Sequence, residues 1–205
     1  MLTKFRNVTM AWTLCGVCLT GCVTDAQTVL SSEGEGHKVL LIARVVTVIT
    51  GERARKFEPT VREVELAEQD AGTRYRITVG GNDTVFAVFL PPGRYDMTRV
   101  EINEGPFLSI AQPAVSVSLE GGPVIYGGMW RFGVDSPRYG RMVLMSMQMD
   151  EESRALFERK IQVDYPTLTS SPITTVLPLP TEFQTRLYEV APYPRVSRYF
   201  RRHYW

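Results

Sequence analysis

Between Lys38 and Met149 the chain is cut by glycine and proline into short runs that alternate or are solidly apolar. Few folds accept such a chain. Lys38 to Thr50 is dominated by Val, Leu and Ile, too β-branched for a preferred helix, and reads as a long strand. Val61 to Leu66 alternates imperfectly, and Thr73 to Val79 alternates well up to the turn signal Gly80-Gly81-Asn82-Asp83. Thr84 to Leu90 is an apolar strand stopped by Pro91-Pro92-Gly93. In Arg94 to Ile102 the inward candidates are Tyr95, Met97, Val100 and Ile102, and the slip in parity after Met97 predicts a bulge. Ala114 to Leu119 has period two, with Val115, Val117 and Leu119 on one face; Val124 to Phe132 and Met142 to Met149 follow as further strands. Short strands at this spacing favour a mainly β chain, an antiparallel β-sandwich with one short helix and an extended C-terminal segment.

The helix is expected at 150–165. Asp150 is a natural N-cap, and Glu151 and Glu152 put negative charge at the positive end of the dipole. Ala155, Leu156 and Ile161 give partial helical spacing, and Tyr165-Pro166 ends it. Prolines at 166, 172, 178 and 180 then predict an extended segment, 166–205, wrapping the body. Of the four methionines Met142, Met145, Met147 and Met149, core packing is the expected role.

The first residues do not read as part of the domain. Lys4 and Arg6 form a positive start, followed by a largely apolar run from Val8 to Leu19, shorter than the roughly 20 residues of a membrane span. The run ends in Leu19-Thr20-Gly21-Cys22. That sequence resembles the lipobox of bacterial lipoproteins, in which a leucine and two small residues precede an acylated cysteine. The resemblance implies a signal peptide at 1–21, lipid attachment at Cys22 and an anchor of two or three acyl chains. An ordinary secreted protein with Cys22 near its cleavage site is the plain alternative. Val23 and Thr24 follow the cysteine instead of the aspartate that favours inner-membrane retention, so the resemblance implies an outer-membrane lipoprotein facing the periplasm. Residues 22–36, polar and small with Ser31-Ser32-Glu33-Gly34-Glu35-Gly36, are expected to be a flexible tether, and 37–149 the sandwich.

A second resemblance covers roughly 84–132. Val88-Phe-Leu-Pro-Pro-Gly-Arg-Tyr-Asp-Met is similar to the strand, Pro-Gly-x-Tyr, strand hairpin of transthyretin-like or carboxypeptidase-regulatory-like β-sandwiches, and Val124-Ile-Tyr-Gly-Gly resembles a strand of small envelope lipoproteins of that architecture. It implies that Tyr95 faces the core and that Pro92-Gly93 forces the turn. It speaks to fold, not to activity.

Chemistry-bearing patterns are sparse. The three cysteines, Cys15, Cys18 and Cys22, all lie at the start, so acylation of Cys22 leaves the mature domain without a disulfide. Cys15-Gly-Val-Cys18 has metal or redox spacing but sits inside the apolar run. Only His37 and His203 are present, and no His-Glu-x-x-His, Cys/His cluster or Gly-x-Ser-x-Gly elbow occurs, so no metal, cofactor or catalytic residue is expected. Asp83 and Asp135 read as turn residues and Asp150 as a cap, although an enzyme acting on cell-wall or lipid material would recruit a carboxylate near Asp135 or Asp150.

Charge separates the tail from the body. Residues 22–194 carry 17 basic and 22 acidic side chains, and the tail adds Arg195, Arg198, Arg201 and Arg202 with no acid. This balance argues against nucleic acid. With Tyr199, Phe200, Tyr204 and Trp205 beside those arginines, the tail suits a partner protein, a lipid headgroup interface, or packing on the acidic body. The function expected is a membrane-anchored envelope lipoprotein with a non-catalytic sandwich for structure, assembly or ligand binding. The alternatives are an accessory subunit of an envelope complex that docks through this tail, the enzyme just described, and a small-molecule carrier.

Overall fold

In the computed structural model, residues 23–26, 38–51, 56–136 and 140–190 are described. Residues 1–21, where a signal peptide is expected, Cys22, His37 and the whole tail from residue 191 lie outside them.

The strands are β1 (Val23–Ala26), β2 (Val39–Ile49), β3 (Pro59–Glu68), β4 (Arg74–Gly81), β5 (Asp83–Leu90), β6 (Arg94–Glu104), β7 (Phe107–Ala111), β8 (Val115–Ser118), β9 (Val124–Val134), β10 (Met142–Gln148), β11 (Ile173–Thr175) and β12 (Glu182–Val190). One helix, α1 (Glu151–Asp164), and a short 3-10 turn at Pro166–Leu168 lie between β10 and β11. The strands run in the order β1-β4-β3-β6-β7-β12-β10-β9-β2-β5, with β8 on β6 and β11 on β9. This is a mainly β fold, one large sheet bent back on itself until it is nearly a closed sandwich.

The bend is made by β12. Its first half, Glu182 to Arg186, pairs with β10, and its second half, Leu187 to Val190, pairs with β7. One strand therefore belongs to both layers, and the inner faces of the two layers are forced together. The core between them contains Trp130, Phe132, Tyr95, Leu41, Leu66, Met97 and Ile102. Burying one such side chain stabilises the fold by roughly 1.5–3 kcal/mol. Met145 and Met147 join this core, whereas Met149 is exposed, so the methionine run divides between core and surface.

The parity slip after Met97 is a bulge. Glu65 pairs with Arg99 and Leu66 with Met97, leaving Thr98 as the extra residue, and Tyr95, Met97, Val100 and Ile102 are all buried as expected. Val115, Val117 and Leu119 share a buried face, also as expected. A second irregularity lies in β9. Ile42 pairs with Tyr126 and Arg44 with Met129, so Gly127 and Gly128 together oppose Ala43. Gly128 has φ +73°, and a Cβ there would come within 2.6 Å of the Gln148 carbonyl and of Leu177, so only glycine fits.

Three expectations need correction. Val23–Ala26, inside the stretch expected to be tether, pairs in parallel with β4. The hairpin at Pro91-Pro92-Gly93 is a crossover: β5 pairs with β2, while β6 pairs with β3, β7 and β8. Two prolines deny the ladder its donors there, and the Tyr95 hydroxyl donates to the Pro91 carbonyl at 2.7 Å to hold the corner. Finally, part of the expected extended segment enters the sheets as β11 and β12, because its Thr/Ile and Phe/Leu/Val alternation supplies partners to three strands, β9, β10 and β7.

Helix α1 caps as read. The Asp150 carboxylate accepts from the Ser153 amide at 2.7 Å, and Glu151 and Glu152 fill the first turn. Its buried stripe is Ser153, Phe157 and Ile161, not Ala155, which is exposed. Phe157 and Ile161 rest with Tyr165 on Leu40, Ile42, Ala87, Val124 and Tyr126, a second apolar layer outside the sandwich.

Candidate functional site

Cys22 and the tail residues Arg195, Arg198, Tyr199, Phe200, Arg201, Arg202, Tyr204 and Trp205 lie outside the described residues. What the fold does place is where their neighbours stand. Val23 pairs with Arg74, at the level of Ala67 and Asp96. Val190 pairs with Leu108, at the level of Asn103. Asp96 and Asn103 sit near opposite ends of β6, so the chain enters at one pole of the sandwich and leaves at the other. At ~3.3 Å per residue the separation along the strand is on the order of 20 Å.

Of the acids that sequence reading singled out, Asp83 and Asp150 meet at Arg44, and Asp135 is not among them. Asp150 caps α1, and Asp135 accepts from the Ser136 amide at 2.8 Å. Asp83 does more than shape its turn: its two oxygens receive Arg44 Nε at 2.7 Å and Nη2 at 2.6 Å, a fork against a fork. Among the described residues no group of three or more His, Cys, Asp or Glu is arranged to hold a metal ion.

Two buried arginines organise the polar interior, and sequence reading missed both. Arg44 is the one charge inside the apolar run of β2 and lies on the outer face, under the start of α1. Besides Asp83 it meets Glu152 at 3.3 Å and Asp150 at 4.0 Å. It therefore ties the β4–β5 turn to the helix N-terminus. The hydrogen bond to Asp83 is the main cause of the raised Arg44 pKa, burial opposing it, and it holds the Asp83 carboxyl below its usual range. Next to this cluster, Tyr126 Oη and Asp150 Oδ2 are shielded from solvent without a hydrogen-bond partner. Burial first, then the Asp150 charge, pushes the Tyr126 phenol up, and the Ser153 hydroxyl opposes them.

Arg141 is the second of the two buried arginines. It precedes β10 at the junction that β12 closes, with the Leu187 amide donating to its carbonyl at 3.0 Å. Its guanidinium donates to Glu104 at 2.7 Å and to the Ser109 hydroxyl at 2.6 Å, and the side chains of Arg141 and Glu104 are only 4% and 3% exposed. Burial pulls the Arg141 pKa down to about 10, against the upward pull of Glu189 and Asp135. Burial pushes the Glu189 carboxyl up, with Arg141 opposing.

A charged ladder on the outer face of the β3-β4-β6 layer completes the set. Glu65, almost fully buried, receives Thr98 at 2.8 Å, Arg76 at 3.4 Å and Arg74 at 3.5 Å. Glu101 meets Arg62 at 3.5 Å and also Arg99. Each of these clusters ties one element to another. Sequence signals for them were uneven: a lone arginine in an apolar strand marks Arg44, but nothing local marks Arg141.

Comparison of the chain with protein-family models, with curated proteins and with solved structures gave no match.

Proposed function

We propose that this chain is an acyl-anchored envelope lipoprotein whose sandwich is a non-catalytic spacer, holding a docking tail away from the membrane that carries its anchor. The observation that carries the reading is Leu19-Thr20-Gly21-Cys22 at the end of a charged, then apolar, leader. Two or three acyl chains give an anchor far stronger than one. The domain geometry supports the spacer role, because Val23 and Val190 stand at opposite poles. A nearly closed sandwich, with β12 stitched into both layers, is also a stiff body on which to mount a tail.

The tail is the docking element in this reading. Arginine and aromatic side chains dominate binding hot spots, and Arg195 to Trp205 supplies both with no acid. The partner is an envelope protein with an acidic surface, which places the chain as an accessory subunit of an assembly.

Two variants test the proposal. Cys22→Ser should release the protein from the membrane fraction into the soluble fraction or leave it with its leader uncleaved. A chain ending at Pro194 should stay on the membrane and lose a defined crosslinked partner in intact cells. Membrane association unchanged by Cys22→Ser in a chain whose leader has been removed sinks the anchor. Capture unchanged by truncation removes the tail from the docking role.

A further inference from the structure

Along β12 the outward positions are Glu182, Gln184, Arg186, Tyr188 and Val190, and the series changes character partway. It is polar while β12 pairs with β10 and apolar once the strand has crossed to β7. Tyr188 lies opposite Ile110, and Val190 opposite Leu108. Directly opposed residues of an antiparallel pair project from the same face. The neighbouring pair, Leu187 with Ala111, belongs to the inner core, so these four side chains point to the outside of the sandwich. Tyr188 is 51% and Val190 38% exposed, and Leu108 and Ile110 are half-buried. The Arg186 guanidinium lies over the Tyr188 ring, 5.6 Å from its centroid.

A sheet face that meets water is ordinarily polar. The same layer obeys that rule one strand away, where β3, β4 and β6 carry Glu65 and Glu101 with their arginines. The β7–β12 corner breaks it with four contiguous apolar or aromatic side chains, one of them under an arginine. Contiguous exposed apolar patches mark contacts with partners, and tyrosine and arginine dominate binding hot spots.

Charge decides what covers it. Glu101 stands next to Ile110 across the β6–β7 pair, but its side chain is only 10% exposed, whereas Arg62, which meets it, is 56% exposed. Glu189 alternates to the inner side, where it faces Arg141. The charge presented beside the patch is therefore that of Arg62 and the exposed Arg186. From Val190 the chain continues into 191–205, which adds Arg195, Arg198, Arg201 and Arg202 and no acid. The chain's own tail, or the same patch of a second copy, would bring like charge to this face. We infer that the outer face of β7–β12 is the rigid half of the docking surface, and that its occupant is an acidic segment of the partner protein carrying apolar side chains. The inference rests on the docking reading above and adds to it the surface from which the tail grows. Carboxylates of the partner meet Arg186 and the tail arginines, and its apolar residues cover Leu108, Ile110, Tyr188 and Val190. In that reading the anchoring membrane lies beyond the opposite pole, which favours protein over lipid here.

The test places a photoreactive benzophenone side chain at Val190 of the full-length protein in intact cells, with the same group at Val163, exposed on α1, as the reference. Irradiation at Val190 should give a protein adduct that Val163 does not. The crosslinked partner peptide, sequenced by mass, should carry carboxylates beside apolar residues. Arg186→Glu and, separately, Tyr188→Ala, both at exposed positions, should each cut that adduct about tenfold or more. The urea midpoint of the purified protein should not move, and either variant that folds like the parent suffices. Capture undiminished in both variants, capture no greater than at Val163, a basic partner peptide, or an adduct of lipid instead of protein overturns the inference. Truncation at Pro194 separates it from the docking role of the tail. Loss of the adduct on truncation but not in the two variants keeps the tail and removes this face. Loss in the variants but not on truncation keeps the face and removes the tail, and loss in all three supports both.

Discussion

Arg44 and Arg141 make ion pairs of nearly equal length, yet they stand in opposite electrostatic situations. Arg44 faces acids that remain in contact with water: the side chains of Asp83 and Glu152 are 51% and 74% exposed. Its hydrogen bond to Asp83, with help from Glu152, outweighs the burial that opposes it, so its pKa rises. Arg141 and Glu104 are both sealed between the layers, and there burial outweighs attraction and pulls the arginine down. A contact distance therefore says little about what a salt bridge is worth. The exposure of the partners decides it.

The largest expected effect lies at Arg141. Arg141→Met takes from the buried Glu104 the arginine that faces it at 2.7 Å, and removing one partner of such a pair costs about 3–5 kcal/mol. Urea unfolding should show that loss, and the double substitution Arg141→Met with Glu104→Leu should recover most of it. A single variant within 1 kcal/mol of the parent, an order-of-magnitude bound, would mean that the junction is wetter than its burial indicates. Next in size is Arg44→Met, expected to cost about 1–2 kcal/mol because its orphaned acids fall back on water. A larger loss at Arg44 than at Arg141 would reverse the comparison. Asp150→Ala removes the helix cap and should cost about 1 kcal/mol, with the loss confined to α1 by hydrogen exchange.

Acid sharpens the contrast with smaller effects of opposite sign. The Asp83 pKa is lowered by Arg44, so its contribution to stability is present above the unfolded carboxylate value and is lost as pH falls through the folded one. Asp83→Asn should flatten that acid limb. The Glu189 pKa is raised, chiefly by burial, so the folded state takes up a proton before the unfolded one. Stability from this site is largest below the unfolded value and declines as pH rises through the folded one. Glu189→Gln should abolish that decline. Identical pH–stability curves for the parent and both variants would contradict the assignment of charges to these two regions.

The same two regions show what the sequence made legible. The strands of the inner core, the bulge at Thr98 and the Asp150 cap rest on local signals of periodicity, parity and capping, and each is present. Arg44 was detectable in principle, since a lone charge in an apolar strand needs a partner. Arg141 was not, because Glu104, Ser109 and Glu189 reach it only after β12 has crossed from one layer to the other. The parallel pairing of β2 with β9 and the crossover at Pro92-Gly93 were hidden for the same reason: strand partners are chosen across the whole chain. Helix α1 was placed correctly and Ile161 is buried as read, but the rest of its buried stripe was missed. Phe157, rather than Ala155, meets the apolar patch of the sheet below.

The central claim is that an acylated Cys22 sets where this sandwich stands and which pole faces the membrane. The most direct measurement is the mass of the N-terminal peptide of the protein recovered from membranes. The account predicts that residues 1–21 are gone and that Cys22 carries a diacylglyceryl group, with or without a further acyl chain on its new amino terminus. A peptide that keeps the leader, or one that starts after a cut elsewhere with Cys22 unmodified, would contradict it.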